Sequence, residues 1–203
     1  YHFTLEKNKH YEIRNTSNAS FQMKNVSSWD KRAEIVGYDP EGKVRFFENQ
    51  WWGDLWLNEG EYVRLSVNPE QTQEAYLPYD QKDLFEIKES NPALYHFTLE
   101  KNKHYEIRNT SNSSIQMKNL SSWEKRGEMV VYDPEGKVRS FDQGWWGDLS
   151  LNEGEKVRLS VNPEQTQEAY IPYEQKEMVT INESNPALYH FTLEKNKHYE
   201  IRN

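Results

Sequence analysis

The sequence predicts an all-β fold: tandem antiparallel β-sandwiches, of jelly-roll or immunoglobulin-like order, with about eight strands in each 94-residue repeat. Three observations carry this. Apolar and polar residues alternate with period two through short segments such as Phe3-Thr4-Leu5-Glu6 and Tyr11-Glu12-Ile13-Arg14. Turn residues break the chain between those segments at spacings of about ten, and no stretch holds a helical period without Gly, Pro or Asn interrupting it. The chain also repeats itself, since Tyr1–His10 recurs from Tyr95 and again from Tyr189, an offset of 94 each time.

The elements follow in order. A three-residue loop, Lys7-Asn8-Lys9, with Asn8 or Lys9 near the left-handed region, sets a hairpin in which Leu5 faces Tyr11 and Phe3 faces Ile13. A two-residue loop would put Leu5 opposite Glu12 and mix core with solvent on one face. Phe21-Gln22-Met23 is the next strand. Tyr38-Asp39-Pro40-Glu41-Gly42-Lys43 matches a type I turn followed by a Gly bulge, joining Glu34–Tyr38 to Lys43–Phe47. Leu57-Asn58-Glu59-Gly60-Glu61 makes a third hairpin into Val63–Val67, whose odd positions are apolar. Its register places Trp56 opposite Tyr62 on the outward face. In the second copy both become polar, Ser150 and Lys156, and the joint switch favours that pairing. Gln73–Tyr79 is an edge or bulged strand because of Pro78, and Leu84–Lys88 closes the unit.

Residues 95–188 differ from 1–94 at 20 of 94 positions, and 189–203 repeat 1–15 without change. A period of this length fits one small domain rather than a solenoid repeat. The domains are therefore 1–94 and 95–188, with 189–203 as the first hairpin of a third repeat; a shifted phase, such as 16–109 and 110–203, is the alternative. The joints Glu89–Leu94 and Glu183–Leu188 each contain Asn-Pro, which favours a short, stiff connection. One hairpin is left without a core of its own. Its apolar residues are Phe3, Leu5, Tyr11 and Ile13, or their copies Phe191, Leu193, Tyr199 and Ile201. We expect it to dock on a neighbouring unit, in the same chain or the next, by strand addition or by filling a sandwich end. Copies of the chain are thus the expected partners.

Leu, Ile, Val and Phe make up about a fifth of the chain, close to a disordered composition. The 28 aromatic residues argue instead for small, aromatic-rich cores under a very polar surface. With 25 basic against 33 acidic residues, a nucleic-acid partner is not expected. No apolar run reaches the roughly 18 residues of a membrane-spanning helix. There is no cysteine, hence no disulfide, thiolate metal site or cysteine nucleophile. The chain opens at Tyr1 without Met, as a processed product or an excerpt does.

Among candidate sites, the six histidines are three copies of one pair, His2 and His10. The hairpin register holds them too far apart for one tetrahedral metal site, so no metal or other cofactor is expected. The strongest ligand-like signal is aromatic: Trp29 with Trp51 and Trp52, and in the second copy Trp123 with Trp145 and Trp146. Flat indoles on a sandwich stack on sugar rings. Adjacent strand residues point to opposite faces, however, so at least one Trp of each pair belongs to a core. Trp56 and Tyr62 complete the set of candidate ligand or interface aromatics. Seven Asn-X-Ser/Thr sequons would carry glycans in a eukaryotic secretory pathway and in a bacterium reflect only abundant Asn and Ser, the reading favoured here; the spaced pattern of an EF-hand is absent. No nucleophile elbow, phosphate loop or His-Glu-x-x-His run occurs, so an enzyme is not expected.

The β units, high identity between copies, lack of cysteine and Asn/Lys/Glu-rich surface resemble the tandem β-sandwich stalks of bacterial cell-surface proteins and extracellular fibres. The resemblance lies in the architecture alone, with no family motif. It implies an extracellular or cell-surface structural protein: a stalk, adhesin or filament segment with stiffly joined domains. The alternative is a tandem carbohydrate-binding module using Trp29 and one of Trp51 or Trp52, with surface glycans as partners.

Overall fold

The computed structural model describes residues 1–27, 32–50, 52–121, 127–144 and 146–202. Among the described residues the first repeat contains nine strands: β1 (His2–Leu5), β2 (His10–Asn15), β3 (Phe21–Asn25), β4 (Ala33–Tyr38), β5 (Val44–Gln50), β6 (Asp54–Leu57), β7 (Tyr62–Val67), β8 (Gln73–Tyr76) and β9 (Phe85–Glu89). The second repeat contains β10 (Leu94–Leu99), β11 (His104–Asn109), β12 (Ile115–Asn119), β13 (Gly127–Tyr132), β14 (Val138–Gly144), β15 (Asp148–Leu151), β16 (Lys156–Val161), β17 (Gln167–Pro172) and β18 (Val179–Glu183). Short 3-10 segments, Tyr79–Gln81 and Tyr173–Met178, follow β8 and β17. By its contacts the chain divides into two compact units. Unit 1 is Tyr1–His96 with Tyr170–Lys176, and unit 2 is Phe97–Ala169 with Glu177–Asn203.

Each repeat forms one four-stranded and one five-stranded sheet. In the first the orders are β1-β8-β3-β6 and β5-β4-β7-β2-β9; in the second they are β10-β17-β12-β15 and β14-β13-β16-β11-β18. Sequential strands alternate between the sheets wherever a jelly roll crosses, so this is jelly-roll rather than immunoglobulin order. The core of unit 1 lies between its sheets: Leu5, Phe21, Met23 and Leu57 enter from one side, and Ile13, Ile35, Val63 and Leu65 from the other. Period-two alternation along β3 and β7 produces this directly.

The order overturns two of the three expected hairpins. β1 pairs with β8, and β2 pairs with β7 and β9, so Lys7-Asn8-Lys9 crosses between sheets instead of closing a hairpin. Asn8 is in the left-handed region, φ 59°. Phe3, Leu5, Tyr11 and Ile13 still reach one core, but from opposite walls. Likewise β6 and β7 lie in different sheets: Trp56 sits opposite Gln22, whereas Tyr62 sits opposite Arg14 and Tyr38. The joint change to Ser150 and Lys156 is therefore not a cross-strand swap. The middle hairpin is as expected. β4 and β5 pair across a turn with Gly42 at φ 86°, and the register shifts between Gly37 and Tyr38. The strand expected at the edge because of Pro78 is an inner one: β8 lies between β1 and β3, and its counterpart β17 runs on to Pro172, so the proline at its end costs the sheet no rung.

In the terminal copy, Phe191, Leu193, Tyr199 and Ile201 are all exposed, and no strand forms among the described residues of 189–202. Docking of this hairpin on a unit of its own chain is thus not what the structure shows. The segment keeps the local geometry of the buried copies nonetheless. Asn196 has φ 63°, and the Glu194 N–H donates to the Tyr199 hydroxyl at 2.9 Å, as Glu6 does to Tyr11 at 3.0 Å.

Candidate functional site

β4 is apolar on both faces. Ala33 and Ile35 enter the sandwich core, while Val36 and Tyr38 point outward and join Phe47 of β5 in a second apolar cluster. Ala93 and Leu94 border it, and Tyr170 completes it within unit 1. Phe47 is 3% exposed and Tyr170 5%. Their rings meet edge to face, with centroids 5.7 Å apart and an interplanar angle of 87°, an arrangement in which the positive ring edge meets the negative face.

Polar groups frame the aromatics. Tyr38 stacks on Tyr62 at 4.6 Å, and the Arg14 guanidinium lies 3.9 Å from the Tyr62 ring centre. Arg64 pairs with Glu12 at 3.3 Å and also with Glu174. The Tyr173 N–H donates to the Ala93 carbonyl at 2.9 Å, and the Ala93 N–H donates to Ser66 Oγ at 2.8 Å. His10 Nδ1 lies 2.9 Å from the same Ser66 oxygen, and His96 bonds Glu34. Burial pushes the Tyr38 phenol well above the ordinary tyrosine range, against the opposing Arg64 charge. Burial also raises the Glu12 carboxyl, but the Lys88 and Arg64 cations outweigh it and hold the group below the usual range.

The segment seated on this face is Tyr170-Ile171-Pro172-Tyr173-Glu174-Gln175-Lys176. Its counterpart in the first repeat is Tyr76-Leu77-Pro78-Tyr79-Asp80-Gln81-Lys82. There Tyr79 is 69% exposed and Pro78 and Asp80 are exposed too. The face recurs in unit 2 as Val130, Tyr132, Phe141 and Arg158, with Phe141 68% exposed. Of the residues described on this face, Tyr62 alone was singled out from the sequence. The signal was available in Ile35-Val36 and Phe46-Phe47. Adjacent apolar pairs break the alternation and must put one side chain on the outer face.

The other candidate aromatics are placed as follows. Trp52 and Trp146 are buried, and their indole N–H groups donate to Gln73 and Gln167, each at 3.0 Å. Trp29, Trp51, Trp123 and Trp145 lie outside the described residues. Trp56 is 60% exposed and lines a concavity of about 480 Å³ in unit 1 with Tyr1, Tyr76, Tyr79, Gln22 and Lys24. Tyr62 lies on the outer face of the other sheet, so the structure does not bring Trp56 and Tyr62 together. His2 stacks on Tyr76 at 5.5 Å, whereas His10 lies beside Ser66.

No family model matches the chain, and no curated protein matches it. Solved structures similar to it include the oxalate decarboxylase of Bacillus subtilis, at 10% identity over 84% of this chain and 67% of that one, with a TM-score of 0.34. Vicilin from Corylus avellana (hazelnut) is similar at 9% identity over 89% of this chain and 75% of that one, with a TM-score of 0.35. Likeness at this level concerns the fold alone. The decarboxylase structure is described for its Mn(II) centres. Among the described residues of this chain, no three His, Cys, Asp or Glu side chains gather to hold a metal ion.

These neighbours correct the functional expectations drawn from architecture. The stalk, adhesin or filament reading is withdrawn: the similar solved structures are a decarboxylase and a vicilin, and a likeness of this degree supports the β-sandwich fold and no surface or fibre role. Nothing among them supports the carbohydrate-binding alternative. The expectation that the chain is not an enzyme is withdrawn as well, because a β-sandwich fold does not dictate function; the decarboxylase named above shares no more than that fold. What stands of the resemblance to surface repeats is the β-sandwich architecture.

Proposed function

We propose that this chain is a homotypic recognition protein, in which the outer face of the five-stranded sheet of one repeat binds the Tyr-(Leu/Ile)-Pro-Tyr-(Asp/Glu)-Gln-Lys segment of another copy of the repeat. The observation that carries this reading is Tyr170 of that segment, buried edge-on against Phe47 beside the Arg64–Glu174 ion pair. Tyrosine and arginine anchors of this kind dominate recognition sites, because each combines a large contact area with a polar tip. The differences between the copies support it further. The repeats differ at 20 positions, yet Val36, Tyr38, Phe47, Arg64, Tyr76 and Tyr79 all keep their identity in the second copy. Asp80 becomes Glu174 with its charge unchanged.

A double-mutant cycle on the unfolding of the full chain tests the reading. Phe47→Ala and Tyr170→Ala should show a coupling of about 0.5–1.5 kcal/mol, as a face-to-edge aromatic pair does. Strictly additive effects, within about 0.3 kcal/mol, would remove the proposal.

A further inference from the structure

We infer that unit 2 binds the Tyr76–Lys82 segment of a second copy of this chain, through the outer face formed by Val130, Tyr132, Phe141 and Arg158. The inference rests on the homotypic reading above and carries it from one chain to two. Within unit 1, the same four positions hold the same segment type. Val36, Tyr38 and Phe47 are buried around Tyr170, and Arg64 meets Glu174. In unit 2 the receptor residues are retained: Phe141 and Val138 are exposed, Tyr132 is half-buried and Val130 is buried, and His190 bonds Glu128 as His96 bonds Glu34.

The complementary segment is already shaped for this seat. Tyr79–Gln81 forms a 3-10 turn, as Tyr173 does in the seated copy, and the lysine folds back on the tyrosine in both. Lys82 Nζ donates to the Tyr79 hydroxyl at 3.3 Å, and Lys176 Nζ to that of Tyr173 at 3.0 Å. Little conformational freedom is therefore lost on docking, which favours affinity. The charges also match, because Asp80 would meet Arg158 as Glu174 meets Arg64. At present Arg158 pairs with Glu106 at 3.2 Å, just as Arg64 pairs with Glu12 while also holding Glu174. Lys156, which stands where unit 1 has Tyr62, keeps a cation over the Tyr132 ring at 5.4 Å.

Receptor and ligand are different surfaces, so the contact is heterologous: each copy offers one face and one segment. That polarity gives a sharp test by sedimentation of the full chain. The unaltered protein should gain mass in whole-chain steps between about 1 µM and about 1 mM. Phe141→Ser removes the face and Asp80→Arg reverses the segment's charge. Both side chains are exposed, so the fold should survive, and circular dichroism checks that it does. Each variant alone should associate about tenfold more weakly or worse.

Mixing the two variants should restore a complex that stops at two chains, since one supplies the intact segment and the other the intact face. A chain that stays monomeric throughout, or associates equally well with either substitution, overturns the inference. So does a mixture that fails to form the two-chain complex. The two levels separate cleanly. If the Phe47–Tyr170 coupling is present but the mixture does not associate, the intermolecular step falls alone; if the coupling is absent, the homotypic reading falls with it.

Discussion

Gly37 and Phe46 face each other across β4 and β5, and the phenyl ring occupies the space a side chain at position 37 would need. A Cβ placed there would lie 2.2 Å from Phe46 Cε1. In the second repeat the same pair is Val131 opposite Ser140, so the bulk has moved from one strand to the other. The two copies thus reach similar filling of one site by opposite means, as close-packed interiors require. Gly37→Val alone should destabilise unit 1 by about 1–3 kcal/mol through overpacking. Adding Phe46→Ser, which imports the second copy's solution, should recover most of that loss in urea unfolding. If the single substitution is neutral, Phe46 is not held in place as described.

Trp52 and Gln73 lead to a second expectation. The indole N–H is buried and donates to Gln73 Oε1 at 3.0 Å, and Trp146 repeats the bond with Gln167. Gln73→Leu would strand a buried donor, at a cost of about 1–3 kcal/mol in thermal or chemical unfolding. Gln167→Leu should behave alike in unit 2. An unchanged unfolding midpoint for either would show that the indole finds another acceptor.

The third expectation concerns acid stability. Glu12 is buried with its carboxylate held by Lys88 at 3.2 Å and Arg64 at 3.3 Å, and its pKa is lowered in spite of burial. A carboxyl depressed in the folded state adds stability that is fully present above its unfolded pKa. That stability is lost as pH falls through the lower, folded value. Stability should therefore decline with acid through and below the ordinary glutamate range. Glu12→Gln should flatten this limb while lowering stability at neutral pH. An acid limb as steep in the variant as in the parent chain would assign the effect elsewhere.

Part of the outer apolar face of β4 and β5 is legible in the sequence, and part is not. Ile35-Val36 and Phe46-Phe47 announce an apolar side chain on the solvent side of a strand. What covers it is another matter. Tyr170 lies 123 residues beyond Phe47, and nothing in local alternation links the two. One tryptophan of each adjacent pair was expected in a core, and Trp52 and Trp146 are core residues whose indoles donate to Gln73 and Gln167.

The sequence by itself determined the all-β class, the 94-residue repeat, most strand positions and the inward set Leu5, Ile13, Val63 and Leu65. Each of these depends only on local alternation and turn chemistry, which neighbouring residues settle between themselves. Strand partnership was decided by the tertiary structure. Left-handed Asn8 and Gly60 suit a hairpin or a crossing between sheets equally well, and both routes bury Leu5 and Ile13. The choice fell to non-local pairing: β8 lies beside β1, and β7 beside β2. That order leaves Trp56 and Tyr62 on different sheets, and it exposes the outer face of β4 and β5 to be covered. Alternation tells a residue which way to point, whereas only the packed sheets tell it what it will meet.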